Sequence, residues 1–137
     1  MAFKSAIGLL GLFLSSNLIP GVVWGHGENK PGPHGGHIRM PGAFHTELVM
    51  KSKKELNVFL LDMEWANPTT EGSSVKVILK SGTKESLLTC ETAKDHFRCK
   101  TSKGVSMALP GKVEITANRK GASGGLAVYE LPLKASH

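Results

Sequence analysis

From residue 44 onward, short segments in which apolar and polar residues alternate are separated by turn-forming residues, and no helical period is present. Successive side chains of a strand point to opposite faces of a sheet, so a period of two predicts strands with one buried face. Seven or eight strands at this spacing predict an all-β fold, an antiparallel sandwich of two sheets. The predicted strands are residues 44–50, 55–62, 74–81, 87–91, 97–101, 113–117 and 126–131.

The first two predicted strands are separated by the polar residues 51–54 and pair most simply as a hairpin. Residues 55–62 are largely apolar, which favours a strand at the centre of a sheet. In the first strand, alternation places His45 and Glu47 on one face, while Phe44, Thr46, Leu48 and Met50 share the other.

The N-terminal residues have the pattern of a secretory signal peptide: a basic start at Lys4, an apolar run over 6–14 and small residues before a plausible cleavage after Gly25. The alternative is a membrane anchor, but polar residues and Pro20 leave the run short of the roughly 20 residues a spanning helix needs. We therefore predict an exported protein, periplasmic or secreted. The predicted division is a signal peptide at 1–25, a flexible Gly/Pro/His-rich arm at 26–43 and a β-sandwich domain at 44–137.

The formal net charge of +6 does not predict nucleic-acid binding. Basic residues are scattered, and the one tight cluster, Lys51, Lys53 and Lys54, occupies a predicted turn. A solvated basic surface is the favoured interpretation, with weak attraction to an anionic membrane surface left open.

Cys90 and Cys99 lie at equal distances from a turn centred between Lys94 and Asp95. A symmetric hairpin would place them opposite each other, with Cα atoms roughly 4.5 to 5.5 Å apart, which a disulfide tolerates. The alternative is a dithiol metal site, but the spacing is unusual for ligands and exported cysteine pairs are usually oxidised. We predict a cross-strand disulfide.

Three of the six histidines, His34, His37 and His45, lie within twelve positions and are joined by glycine and proline. Imidazole is the commonest transition-metal ligand in proteins, and Glu47 would add an oxygen, which together suit Cu(II) or Zn(II). A thioether from Met40 would shift the preference toward Cu(I). The alternative is a polar loop whose histidines form only hydrogen bonds, with Met40 filling a gap.

Other residues with relevant chemistry carry less weight. Cleavage after Gly25 would leave His26 at the N-terminus, where its amine and imidazole could chelate one copper ion; the alternative is a mobile arm without ligands. His96 at a hairpin tip and His137 at the chain end are expected to be solvated. Asp62 and Glu64, on one face of a predicted strand, are also expected to be solvated. No nucleophile elbow, P-loop or HExxH helix is present, so enzymatic activity is not indicated.

Residues 33–36 (PHGG) and 44–49 (FHTELV) resemble the Gly-Pro-His-Gly-Gly and Tyr-His-x-Glu-Leu-Val pattern of small periplasmic domains of heavy-metal efflux systems. Residues 109–116 and 127–133 are similar to the end of YtkA-like and FixH-like immunoglobulin-type domains. The resemblance implies an immunoglobulin-like sandwich and assigns copper, zinc or a related cation to His34 and His45. Relatives often carry a histidine after the position of Asp62, where this chain has Met63.

We therefore expect an exported domain that binds a transition-metal ion, with copper favoured over zinc. It would act as a carrier, buffer or presenter of that ion for an efflux or assembly system, with efflux-system or envelope proteins as partners. One alternative is an immunoglobulin-like interaction module of the envelope that binds no metal. Another is a redox or copper-oxygen enzyme built around His26.

Overall fold

The computed structural model describes residues 30–133, so the predicted signal peptide, His26 and His137 lie outside the described residues. The described chain contains ten strands and no helix, which confirms the all-β prediction with more strands than the seven or eight expected. Accordingly, no helix within residues 30–133 is long and apolar enough to cross a membrane. The strands are β1 (His37–Arg39), β2 (His45–Ser52), β3 (Glu55–Leu61), β4 (Ser74–Ser81), β5 (Lys84–Leu87), β6 (Thr89–Thr92), β7 (Phe97–Lys100), β8 (Gly111–Arg119), β9 (Ala122–Ser123) and β10 (Ala127–Leu131).

The strands form two antiparallel sheets. One has the order β1-β2-β3-β7-β6, and the other has the order β10-β8-β4-β5, with β9 paired to β8. In the immunoglobulin arrangement, strands A, B, E and D form one sheet and G, F, C and C′ the other. β2, β3, β7 and β6 occupy the first four positions in that order, and β10, β8, β4 and β5 occupy the second four. The order of the sheets therefore matches an immunoglobulin-like sandwich, with β1 added at the edge beside β2.

The main core lies between the sheets and is built from the alternating apolar positions of β2, β3, β4, β7, β8 and β10. Phe44, Leu48 and Met50 face this core, as the period of two predicted. Thr46, on the same face, is buried and hydrogen-bonds Tyr129 across the sandwich. His45, Glu47 and Val49 therefore face outward from the first sheet.

A second, smaller apolar cluster covers part of that outward face. It consists of Ile38, Phe59 and Leu61, with Val49 and Trp65 packed against them. Ile38 belongs to β1, so part of the segment predicted to be a flexible arm contributes a strand and a buried side chain. The pairing of β1 with β2 brings this segment onto the sheet beside Glu47.

The strand predicted at residues 87–91 is divided between the two sheets. β5 ends at Leu87 beside β4, and β6 begins at Thr89 beside β7. Leu88 between them is 3% exposed, and its N–H donates to the carbonyl of Val77 at 2.9 Å. The adjacent Leu87 and Leu88 carry the chain from one sheet to the other, and the sequence has no glycine or proline to mark the crossing.

The predicted disulfide is confirmed. Cys90 and Cys99 are opposite each other in the β6-β7 pair, with their sulfurs bonded and their Cα atoms 4.0 Å apart. The N–H of Ala93 donates to the carbonyl of His96 at 2.8 Å and closes the turn between the strands. Because the sulfurs are bonded to each other, the dithiol alternative does not apply to this structure.

Candidate metal site

The Gly-Pro-His-Gly-Gly segment, residues 32–36, folds into a tight loop over the outward face of the first sheet. The N–H of Gly32 donates to the carbonyl of Gly36 at 2.8 Å, and the N–H of Gly35 donates to the carbonyl of Gly32 at 2.9 Å. Gly35 has φ of +76°, in the left-handed region that glycine adopts without strain. The loop therefore needs these residue types whether or not an ion binds.

Glu47 holds this loop on the sheet. Its Oε1 accepts hydrogen bonds from the backbone N–H of His34 at 2.8 Å and of Gly36 at 3.0 Å. Its Oε2 lies 2.6 Å from Nδ1 of His34, and the Glu47 side chain is fully buried. We call this set of three hydrogen bonds the His34–Glu47 clasp.

The close approach of the loop to β2 requires glycine at positions 32 and 36. A Cβ on Gly32 would collide with the Glu47 carboxylate, and one on Gly36 would lie 2.5 Å from the carbonyl oxygen of Leu48. Such contacts are shorter than van der Waals packing allows. As placed here, Glu47 is a buried hydrogen-bond acceptor that orients His34, and three of the roughly four acceptor sites of its carboxylate are engaged in the clasp.

The ring of His34 is fixed a second time by stacking. It lies parallel to the Phe59 ring, with centroids 3.7 Å apart and planes 7° apart. His96 packs against the same Phe59 ring at 4.9 Å, and its Nδ1 is 2.9 Å from the Asp95 carboxylate. The expectation that His96 is a solvated residue is therefore wrong: its side chain is only 18% exposed.

His37 does not join His34, His45 and Glu47 on the outward face. In the β1-β2 register Ile38 is opposite Glu47, whereas His37 is opposite Leu48, which faces the main core. Partial burial, with a further contribution from nearby Arg39, lowers the pKa of His37. The sheet thus separates His37 from the other predicted ligands.

His45 shares the outward face with Glu47, as predicted, and is 4% exposed. Its Nδ1 is 3.0 Å from the carbonyl oxygen of Asp62, and its ring meets that of Trp65 edge-on at 5.9 Å. A carbonyl oxygen only accepts hydrogen bonds, so neutral His45 carries its proton on Nδ1 and its lone pair on Nε2. The carboxylate of Glu47 imposes the same tautomer on His34.

Asp62 organises the turn next to His45. Its Oδ1 accepts from the N–H groups of Glu64 at 3.0 Å and Ala66 at 2.8 Å, and its Oδ2 accepts from the amide of Asn67 at 2.7 Å. The hydrogen bond from Ala66, followed by that from Asn67, lowers the pKa of the Asp62 carboxyl. Asp62 and Glu64 therefore belong to a turn, and the expectation that they share a strand face is wrong.

Within residues 30–133 no three or more His, Cys, Asp and Glu side chains come together in a way that could hold a metal ion. His34 and His45 are both on the outward face, but neither has two further ligands of these types beside it. Met40, also predicted as a ligand, is 48% exposed after the end of β1. A complete ligand set would therefore need thioether sulfurs, solvent, the residues before Lys30 or a second molecule.

Comparison with known proteins gives no match. No protein-family model, curated protein or solved structure matches this chain.

Sequence reasoning missed three aromatic contacts at this site: Phe59 on His34, Phe59 on His96 and Trp65 on His45. Phe59 lies in an almost continuously apolar strand, where no alternation indicates which face it occupies. Register provides that information, because Phe59 is opposite Glu47 in the β2-β3 pair. The alternation of β2 places Glu47 on the outward face. Pairing β2 with β3 as a hairpin could then have placed Phe59, opposite Glu47, on the same face as the histidines.

Proposed function

We propose that this protein is an exported transition-metal-binding protein that carries or presents copper to an efflux or assembly system. The observation that supports this most directly is that His34 and His45 each direct Nδ1 at a fixed oxygen acceptor. Metal-ligating histidines in proteins almost always donate their second ring N–H to a carboxylate or a carbonyl. The arrangement sets Nε2 of both rings as the nitrogen available to an ion.

The chemistry of the donors favours copper over hard cations. Imidazole nitrogens and thioether sulfurs suit copper, whereas Mg²⁺ and Ca²⁺ take oxygen ligands. Glu47, the one carboxylate in the clasp, is already engaged by three donors. A site that is incomplete within one domain also suits an ion that is passed on, because permanent structural zinc sites have four protein ligands.

Two further features support the assignment to an exported protein of this kind. The Cys90–Cys99 disulfide is compatible with an oxidising compartment. The resemblance of residues 33–36 and 44–49 to periplasmic domains of heavy-metal efflux systems provides the functional setting. In that setting Glu47 would hold the His34 ring in position for an ion without contacting the ion itself.

The test is calorimetric titration of the exported protein, purified from the periplasm of an expression host, its N-terminus sequenced and its metal stripped by chelator. Cu(II), Zn(II) and, under reductant, Cu(I) are titrated separately. We expect one-to-one binding to copper that weakens in His34→Ala and His45→Ala. His37→Ala is the matched control, because His37 lies on the other face of the sheet and should leave the affinity unchanged.

Glu47→Gln tests the role of the clasp in metal binding. The amide oxygen can still accept the two backbone N–H groups, but the amide nitrogen would donate to Nδ1 of His34 and move the imidazole proton to Nε2. We expect copper affinity to fall by about 10- to 100-fold, the usual effect of losing an outer-shell partner. Zinc binding tighter than copper binding would reassign the ion.

A second candidate is an immunoglobulin-like interaction module of the envelope. One observation favours it: the clasp is fully satisfied without an ion, so His34, Gly36 and Glu47 have a structural reason to be present. Absence of any metal binding tighter than about 10⁻⁴ M would contradict the metal assignment and leave this second candidate.

A further inference from the structure

Two methionines lie on either side of His45 at one end of the first sheet. Arg39, the last residue of β1, is opposite Thr46 in the β1-β2 pair, so Met40 follows directly after the pair that adjoins His45. Leu61 is opposite His45 in the β2-β3 pair, so Met63 follows two residues beyond on the other side. The carbonyl oxygen of Asp62, the residue before Met63, is 3.0 Å from Nδ1 of His45, so the backbone of Met63 is close to the His45 ring.

Exposure distinguishes these two methionines from the others in the described chain. Met40 is 48% exposed and Met63 is 49% exposed. Met50 and Met107 instead pack with the main core, where methionine serves as a gap filler. Met40 directly follows Arg39, the last residue of β1, and Ile38 in that strand packs on the outward face to which His45 belongs.

Trp65 completes this end of the sheet and has an unusual backbone. Its φ is +61°, which is uncommon for a bulky side chain, and Asn67 in the same turn has φ of +51°. The turn is held by hydrogen bonds to Asp62 and keeps the indole in a T-shaped contact with the His45 ring. Strained conformations that the surrounding structure maintains cluster at ligand-binding sites.

We propose that Met40, His45 and Met63 form a binding site for Cu(I), with the Trp65 indole beside the ion. Two thioethers and one imidazole are soft ligands that favour Cu(I) over Cu(II) and Zn(II). Nε2 of His45 is the donor, because Nδ1 is engaged by the Asp62 carbonyl. An aromatic ring beside a cation adds an attraction between the ion and the π face and shields the site from water.

This inference rests on the proposed function and adds the oxidation state and the ligands. It involves binding alone, without electron transfer.

The test uses the exported protein with ¹³C-methyl-labelled methionine and Cu(I) delivered anaerobically from a chromogenic chelator. We expect the methyl signals of Met40 and Met63 to shift on addition of one equivalent of Cu(I). The signals of Met50 and Met107 are internal controls, and their chemical shifts should not change. Trp65, the one tryptophan after residue 25, should be quenched in the same titration. Met40→Leu and Met63→Leu should each weaken Cu(I) binding at least about tenfold, and Met50→Leu should not.

Three outcomes would overturn the inference. Cu(I) binding without shifts of the Met40 and Met63 methyl signals would place the ion elsewhere and leave the proposed function intact. Binding of Cu(II) or Zn(II) that depends on His34 and His45, with no Cu(I) binding, would reject the thioether site and again retain metal transport. Failure to bind any of the three ions would reject both.

Discussion

Replacing Glu47 with alanine should loosen the loop of residues 32–36 and destabilise the domain. The N–H of Gly36 is buried, and losing its acceptor costs about 1 to 3 kcal/mol. The lost side-chain methylene adds about 0.8 kcal/mol, and the two partly buried donors of His34 can regain hydrogen bonds with water. Alanine also removes the desolvation cost of a buried carboxylate, so we expect a net loss of about 2 to 3 kcal/mol.

The assay is urea unfolding with the disulfide intact, followed by Trp65 fluorescence and far-UV circular dichroism. For a domain of this size, the expected loss corresponds to a fall in Tm of about 8 to 24 °C. Glu55→Ala is the matched control: Glu55 forms a half-exposed ion pair with Arg98 at 3.5 Å, which should contribute about 1 kcal/mol or less.

Hydrogen exchange at Gly36 distinguishes local release of the loop from loss of global stability. In the parent protein its amide should be protected by Glu47, and in Glu47→Ala it should exchange at a rate set by local opening. If the alanine variant keeps the Gly36 amide protected and unfolds within about 0.5 kcal/mol of the parent, the clasp does not hold the loop and the reasoning is refuted.

Three further predictions concern other parts of the fold. The double variant Cys90→Ser/Cys99→Ser should lose about 2 to 3 kcal/mol in urea unfolding, because the disulfide restricts a short loop of the unfolded chain; unchanged stability would contradict this. Gly36→Ala should lower Tm by at least about 8 °C, since backbone cannot move aside for the added Cβ, and a change under 2 °C would contradict this. Burial raises the pKa of Tyr129, so the folded state keeps the phenolic proton longer than the unfolded state and stability falls as pH rises above about 10. Tyr129→Phe loses the hydrogen bonds to Thr46 and should have a free energy of unfolding about 1 to 2 kcal/mol lower at pH 7. Between about pH 9 and 11, however, its free energy of unfolding should fall less than that of the parent protein. Parallel plots of unfolding free energy against pH for the two proteins would refute this prediction.

The sequence was most informative where one periodic pattern governs a whole strand. Over residues 44–50 the alternation correctly placed Phe44, Leu48 and Met50 on one face and His45 and Glu47 on the other. A shift of one residue would turn the Glu47 carboxylate into the main core, so the pattern determines the face of each side chain. β4 was predicted with its observed bounds, since polar and turn-forming residues precede it and a glycine turn follows. The disulfide followed from symmetry about one turn.

Prediction failed where pairing between distant segments decides the structure. β1 has three residues and no readable period, so its pairing with β2, and with it the face occupied by His37, depends on register alone. No glycine or proline marks the change of sheet at Leu88. His96 was predicted to be solvated because it lies at a turn. Its contact with Phe59 arises because β3 and β7 are neighbours, and the local sequence does not reveal that pairing.

For the candidate site, residue types were predicted better than residue roles. Three histidines and one carboxylate in a short stretch suggested one cluster of ligands. The structure gives Glu47 the role of an acceptor for His34, and Met40 and Met63 follow the ends of the two strands that pair with β2. These roles depend on which strand lies next to which, and spacing along the chain does not contain that information.

Stacking of His34 on Phe59, together with the bond from Nδ1 to Glu47, has an entropic consequence. Both side-chain torsions of His34 are fixed as the protein folds, so binding at Nε2 would not incur the roughly 0.5 to 1.5 kcal/mol of ordering that a free side chain requires. The preorganisation depends on the loop staying closed. Substitutions in residues 32–36 that do not change a ligand should therefore still weaken binding of an ion at His34. The loss of affinity should increase with the fraction of molecules in which the loop is open.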